Sequence, residues 1–527
     1  MLESFKIDAL THPTLDTPNP RRGPHSLEQP SSAPAAVADR CPGRPGGTAS
    51  TIEHVSDQRR YFIRTFGCQM NEHDSERVAG LLEADGMLPA GAPEDADVVV
   101  VNTCCIREKA DQKLYAYLGG LKALKRSRPD MQIAVGGCLA QKDQEVVRSR
   151  APHVDVVFGT HNVHRAAELL ARAAKDGPIV EILTETARAD AEAFPSALGV
   201  RRDLPHSAWV TIQVGCDNSC AFCIVPAVRG PEISRPFESL LAEVRELARN
   251  GVVEITLLGQ NVNSYGRDLA LARRRAGEKV PARPMFAELL RAVGAVEGIR
   301  RVRYTSPHPK DLRSETIVAM AETPAVCEYL HLPLQSGSDA VLAAMHRGYT
   351  AERYLQRLAA ARRSIPDLAV STDIIVGFPG ETEQDFTATL AVAAEAEFDN
   401  AFTFVFSPRP GTAAAAMTRR FVDHEVVIER YERLRAVVER SARRRHAARI
   451  GAREDVLVEG PSKTRPELCS GRTRQNKIVH FSSGEAVPPG SFVDVDITGA
   501  GMHYLLGEAV AVRSRPARRE RIPVVAA

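Results

Sequence analysis

Short β-branched runs that stop at glycine or cysteine, each followed by a helical stretch, recur at about 35-residue spacing from Tyr61 onward. Residues 61–66 end at Gly67-Cys68, 97–102 at Thr103-Cys104-Cys105, 132–135 at Gly136-Gly137-Cys138, and 154–158 at Gly159-Thr160. A chain patterned this way returns to its sheet through helices, so the strands run parallel with right-handed crossovers. In an open parallel sheet the carboxyl ends of the strands share one edge, where ligands gather. Cys68, Cys104 and Cys138, 36 and 34 residues apart, are therefore expected together on that edge. Three buried structural cysteines are the plainer alternative.

The same rhythm resumes after a linker at 176–201. Six strands are expected, at 209–214, 254–259, 301–305, 329–334, 369–376 and 401–406. Six units are too few for a closed eight-unit barrel, so an open (βα)6 partial barrel is expected over 202–445, behind a parallel α/β domain at 59–175. The basic stretch 269–284 reads as an irregular surface insertion. After an Arg-rich helix at 422–450, β-type runs at 455–458, 477–481, 492–497 and 505–512 are divided by turns such as Pro488-Pro489-Gly490. They predict a small antiparallel β-barrel at 446–515. Residues 1–58 hold eight of the 34 prolines and read as a disordered extension carrying Cys41. Residues 516–527 read as a tail, and the fold class is α/β throughout.

Composition narrows the chemistry. Lys plus Arg total 68 against 66 for Asp plus Glu, so nucleic-acid binding would have to rest on local patches. No apolar run is long enough for a membrane span, and no secretory apolar core precedes the first domain. A cytoplasmic location is expected, where ten cysteines ask for a metal or redox explanation rather than disulfides.

The densest such signal is Cys216-Asp-Asn-Ser-Cys220-Ala-Phe-Cys223, directly after the first strand of the second domain. Three thiolates on one eight-residue loop can share a polynuclear iron–sulfur centre. Three ligands leave one iron of a four-iron cluster open to a small molecule. Zinc would want a fourth nearby ligand, and the next histidine after His206 is His308. Cys327 and Cys469 have no partner near them and read as packed thiols.

This motif resembles the signature of radical S-adenosylmethionine (SAM) enzymes, whose shared fold is the partial barrel expected here. In that family the open iron chelates SAM, and one electron cleaves it to a 5′-deoxyadenosyl radical. Residues 67–75, Asn102-Thr103-Cys104-Cys105-Ile106-Arg107-Glu108 and Val135-Gly136-Gly137-Cys138 resemble the amino-terminal domain of methylthiotransferases, most closely those acting on tRNA. Leu257–Asn263, Ser306-Pro307-His308-Pro309, His331–Asp339 and Asp373–Thr382 match in the same order, and the resemblance spans about 60–512. It implies a second four-iron cluster on Cys68, Cys104 and Cys138. Cys105 stands where the family commonly has Ser and reads as an inert substitution, with a spare ligand or a sulfur relay as alternatives. The resemblance also gives Gln260 and Gln335 roles toward the SAM amino group and ribose.

The carboxyl-terminal barrel resembles a TRAM domain, a family of small RNA-binding barrels. Lys463, Arg465, Arg472, Arg474 and Lys477 lie within 15 residues beside Phe481 and offer an expected phosphate-binding group. The function implied is addition of a methylthio group at C2 of N6-isopentenyladenosine in tRNA, at position 37 next to the anticodon. The implied partners are tRNA, an electron donor such as a flavodoxin or ferredoxin, and a sulfur source, with the chain acting as a monomer. Rival readings are the same chemistry on a ribosomal-protein aspartate or on threonylcarbamoyladenosine, and a non-enzymatic iron–sulfur RNA-binding sensor.

Overall fold

The computed structural model describes residues 58–105, 108–183, 196, 199–202 and 204–516. The expected extension, most of the linker and the tail beyond 516 lie outside the described residues. So do Cys41 and the Ile106-Arg107 part of the second cysteine motif.

Residues 60–181 build a six-stranded, wholly parallel sheet. Its order is Leu88–Pro89, Arg60–Phe66, Val98–Thr103, Gln132–Gly137, Val156–Phe158 and Ile179–Glu181. The unbroken run Val98–Val101 suits a strand buried on both faces. Val99 and Val101 pack into one helical layer with Ile133 and Leu118, while Val98 and Val100 pack into the other with Leu82 and Leu169. The reading of 176–201 as a linker needs correction at its start, since Ile179–Glu181 pairs with Val156–Phe158 and closes the sheet edge.

The second domain has six parallel strands in chain order, forming two three-stranded sheets. Ser207–Thr211, Glu254–Leu258 and Arg301–Tyr304 make one, and Tyr329–His331, Ala369–Val376 and Asn400–Val405 the other. A bridge between Val302 and Val326 links them. Val302, Tyr304, Leu330, Val370 and Ile374 face the helical layer and form its core. Their neighbours Arg301, Arg303, Tyr329, His331, Ser371 and Asp373 alternate onto the inner face, as strand geometry requires. The fourth strand is shorter than expected because Pro333 interrupts it, and Gln335 then bridges Ile374 alone. The expected irregular insertion begins as a helix, Arg267–Arg275.

The last domain follows the helix His424–Ala447 and is a closed five-stranded barrel of Arg453–Pro461, Cys469–Thr473, Ile478–Ser482, Phe492–Ala500 and Tyr504–Ser514. The expected antiparallel barrel is corrected in one respect: Ile478–Ser482 and Tyr504–Ser514 pair in parallel to close it.

This barrel seats against the starting ends of the second domain's strands. The fully buried Arg301 donates to the carbonyls of Arg472 at 2.8 Å and Asp455 at 2.7 Å. Arg303 donates to the carbonyls of Thr473 at 2.8 Å and Arg474 at 2.9 Å. Arg474 pairs with Glu328 at 2.7 Å, and Lys477 with Asp399 at 2.7 Å. Glu328 and Asp399 each stand just before a strand, so residues 473–477 plug the lower mouth of the partial barrel. Of the expected RNA-binding group, Lys477 is buried in its pair, while Arg474 and Arg472, the latter with Glu459 at 2.8 Å, are half-buried in theirs. Only Lys463 and Arg465 remain exposed.

Lys477→Ala should strand the buried Asp399 carboxylate, with Arg445 at 3.7 Å as its remaining ion-pair partner. A loss of about 3 kcal/mol in urea unfolding is expected, largely recovered in Lys477→Met/Asp399→Asn. A loss below about 1 kcal/mol would contradict the plug.

Candidate functional site

The three strands that precede Cys68, Cys104 and Cys138 are immediate neighbours in the first sheet. Phe66 pairs with Thr103, and Thr103 with Gly137, so the three cysteines follow one row of paired residues. With strands about 4.8 Å apart, that row sets the three cysteines side by side. Gly137 takes φ +94°, and a Cβ there would lie 2.2 Å from Asn102 Oδ1. Only glycine lets the chain turn there to present Cys138.

Cys68 caps the helix Gln69–Ala84, and its thiol is lowered to about 6. A hydrogen bond with Cys104 is the largest cause, opposed by burial and reinforced by Arg229 and the amides of Asn71 and Met70. Cys138 is lowered to about 7 by a hydrogen bond with Cys105 and by Arg229, again against burial. Cys105 is fully buried, and its bond to Cys138 together with burial pushes its own thiol far up. It keeps its proton and supports Cys138.

In the second set, the Cys223 amide donates to the Cys220 carbonyl at 3.0 Å, which folds the loop back on itself. Two side chains aim hydrogen-bond donors at sulfur: Asn218 Nδ2 at Cys216, 3.4 Å, and Arg347 Nη1 at Cys220, 3.3 Å. Lys310 in turn hydrogen-bonds Asn218. Burial raises the Cys216 thiol and takes Cys223 to about 12, a cost that ligation as thiolate relieves.

Among the described residues no three His, Cys, Asp or Glu side chains close around a single ion. Two separate trios of cysteine, each with sulfur-directed donors, instead suit four-iron clusters, which Cys thiolates hold at several irons.

Above the loop, the strand ends carry polar atoms with no partner: Gln213 Oε1, Gln260 Oε1, Asn261 Oδ1, His308 Nε2 and Gln335 Oε1. Leaving such a group unmet costs about 1–3 kcal/mol each, so their collection on one rim marks a ligand site. Gln335 is 7% exposed and sits at φ +68°, while Ser306, two residues before His308, sits at φ +58°. Left-handed backbone at non-glycine residues is strained and concentrates at functional sites. Gln260 is half-buried on the same rim.

Comparison with known proteins follows the three domains. Residues 60–159 match the family model described as Uncharacterized protein family UPF0004, 210–393 the Radical SAM superfamily, and 447–510 the TRAM domain. A tRNA-2-methylthio-N(6)-dimethylallyladenosine synthase of Streptomyces griseus is 51% identical over 471 residues, covering 88% of this chain and 90% of its own length. One of Mycobacterium marinum is 50% identical over 480 residues, covering 90% of each. The chain belongs to the tRNA-2-methylthio-N(6)-dimethylallyladenosine synthase family. A member from Mycobacterium tuberculosis is 48% identical over 513 residues, covering 95% of this chain and 92% of that one.

Several residues of this family member escaped sequence reasoning. Arg229, Arg347 and Glu232 carry no spacing that sets them apart, and His308, though inside the matched Ser306–Pro309 stretch, was given no role; their importance comes from what the fold packs against them. His308 Nδ1 accepts from the Lys310 amide at 3.2 Å, which leaves the proton on Nε2, facing the rim. Burial, with Arg347 and Lys310 nearby, lowers its pKa to about 2, so the ring is neutral.

Glu232 is 5% exposed, and burial raises its carboxyl from 4.5 to about 7, although the Ser264 hydroxyl donates to it at 2.6 Å. A raised carboxyl pKa means the fold favours the protonated form. Stability present below pH 4.5 is therefore lost as pH rises through 7. Glu232→Gln should match wild type near pH 4.5 and exceed it by up to about 3 kcal/mol at pH 8 in urea unfolding. A gap that shrinks with rising pH would contradict the buried-acid reading.

Proposed function

We propose that this chain is a radical SAM methylthiotransferase that replaces the C2–H of N6-isopentenyladenosine in tRNA, at position 37 beside the anticodon, with a methylthio group. The observation that carries it is the presence of two cysteine trios, one per domain, joined by the helix Val225–Arg229 that leads from Cys223 into the first domain. A C2–H bond offers no acidic proton and no leaving group, so acid–base catalysis alone has nothing to act on. SAM and two [4Fe-4S] clusters are the cofactors; when bound, the cluster on Cys216, Cys220 and Cys223 supplies the electron for SAM cleavage and that on Cys68, Cys104 and Cys138 the sulfur.

The chain's own groups hold and orient. Arg347 and Asn218 hydrogen-bond the loop sulfurs and fix their direction. Gln260, Gln335 and the His308 Nε2–H present polar atoms to SAM at the rim. On the inner face, His331 bonds Ser371 at 2.8 Å and Asp373 at 3.3 Å, and Phe402, 44% exposed, meets the His331 ring edge at 6.1 Å between centroids. This aromatic and polar wall on the open side offers a flat base both stacking surface and hydrogen bonds.

The RNA contact lies on the catalytic rim rather than beneath the barrel. The helix Arg267–Arg275 packs on the Ile233–Ser234 strand beside Glu232, with the Ser234 amide donating to Asp268 at 3.1 Å. It exposes Arg267, Arg273, Arg274 and Arg275, while Lys463 and Arg465 are exposed on the TRAM domain as a separate basic group. An electron donor such as a flavodoxin or ferredoxin and a sulfur source complete the partners, with the chain acting as a monomer. No helix among the described residues is long and apolar enough to cross a membrane, and a tRNA substrate suits the cytoplasm.

Anaerobically reconstituted protein should bind about eight irons, and either triple Cys→Ala variant about half. The Cys68/Cys104/Cys138 variant should still cleave SAM yet form no methylthio product, whereas the Cys216/Cys220/Cys223 variant should do neither. Product from either variant would sink the reading. For RNA, Arg273→Gln/Arg274→Gln/Arg275→Gln should reduce the slope of log affinity against log salt by about 2. Superimposable lines for variant and wild type would remove this helix from the tRNA surface.

A further inference from the structure

Arg229 comes from the segment that carries Cys216, Cys220 and Cys223 and reaches the other cysteine set at Cys138 and Cys68. It ends the short helix Val225–Arg229, six residues after Cys223, and that helix packs on the helix Cys138–Asp143 of the first domain. Its side chain is 7% exposed and donates to Asp74 Oδ2 at 2.9 Å. Asp74, itself 2% exposed, also faces Arg77 at 3.9 Å. Asp74 is thus shared by two buried guanidiniums, with Glu243 also acting on Arg77. An uncompensated buried charge is costly, and the groups that remain to Arg229 are sulfurs: it hydrogen-bonds Cys138 and acts electrostatically on Cys68.

We propose that Arg229 is the buried counter-ion of the Cys68, Cys104 and Cys138 cluster, a positioning residue that holds this cluster's reduction potential above the value its thiolates alone would set. This rests on the two-cluster reading above. Three thiolates and four inorganic sulfides make such a centre net anionic, and each added electron deepens the charge. A fixed guanidinium in a dry seam stabilises the reduced state more than the oxidised one, and hydrogen bonds to cluster sulfur act in the same direction. The cation comes from the segment that carries Cys216, Cys220 and Cys223, so the set on Cys68, Cys104 and Cys138 gains its full charge balance only when the two domains are docked. Thr160 Oγ1 donates to the Val228 carbonyl at 2.7 Å, and His73 Nδ1 lies 3.0 Å from Thr211 Oγ1, which together fix that docking.

The test uses the full chain with Cys216, Cys220 and Cys223 replaced by Ala, so that the remaining cluster is read alone by potentiometric titration with electron paramagnetic resonance. Arg229→Gln should lower the midpoint by about 59 mV, a tenfold loss in stabilisation of the reduced state for one electron. Arg229→Lys should keep most of the wild-type value. In the reciprocal background, Cys68, Cys104 and Cys138 to Ala, Arg229→Gln should move the other cluster's midpoint far less. An unchanged midpoint in the first background, or equal shifts in both, overturns the proposal. Arg229→Gln leaves Asp74 with only Arg77 as ion-pair partner, so Asp74→Asn/Arg229→Gln, which removes one charge of each sign, is titrated alongside it and should show a smaller drop. If both neutral variants lose their iron while Arg229→Lys keeps it, the need for positive charge is upheld; if Arg229→Lys loses it too, the role is one of shape and the proposal fails. Should the parent triple variant bind no iron, the second-cluster reading itself fails, a result distinct from any effect at Arg229.

Discussion

A charge buried in a protein interior must be met by its opposite, and in this chain Arg229 and Asp74 meet across a domain seam. The Arg229–Asp74 pair lies at that seam, with neither side chain more than 7% exposed. Breaking a buried pair of this kind costs about 3–5 kcal/mol, a large share of the 5–15 kcal/mol that holds a typical domain folded. The first domain is therefore held firmly against the opening of the partial barrel. Its residues Thr160 and Asp74 bond Val228 and Arg229, five and six residues after Cys223.

The two ends of the partial barrel are put to opposite uses. At the finishing ends of the strands, polar atoms are left unmet and backbone is strained at Ser306 and Gln335. At the starting ends almost every charge is matched, with Arg301, Arg303, Arg474 and Lys477 bonded across to the small barrel or back from it. The same closure turns Arg474 and Lys477 toward the partial barrel, while Arg267, Arg273, Arg274, Arg275, Lys463 and Arg465 stay exposed.

Much of this was legible in the sequence for a local reason. Strand-to-cysteine spacing is read along the chain, and parallel topology then converts about 35 residues of separation into adjacency at Phe66, Thr103 and Gly137. Features set by contact between distant segments were not legible. Leu88–Pro89 is a two-residue strand without period, and the parallel closure of the small barrel depends on which edges meet. The partners of Arg474 and Lys477 lie 146 and 78 residues away, so their place in the seam with the partial barrel could not be read from the run of basic residues. Arg229 was hidden for the same reason, as one of 68 basic residues until Asp74 and Cys138 are seen beside it.

The central claim is that these cysteine trios act together on an isopentenylated adenosine in tRNA. Nucleoside analysis of tRNA from a strain lacking this chain tests it most directly. Loss of the 2-methylthio nucleoside with accumulation of N6-isopentenyladenosine is expected, reversed by the wild-type chain but by neither cysteine-trio variant. An unchanged level of the 2-methylthio nucleoside in the deletion strain would contradict it.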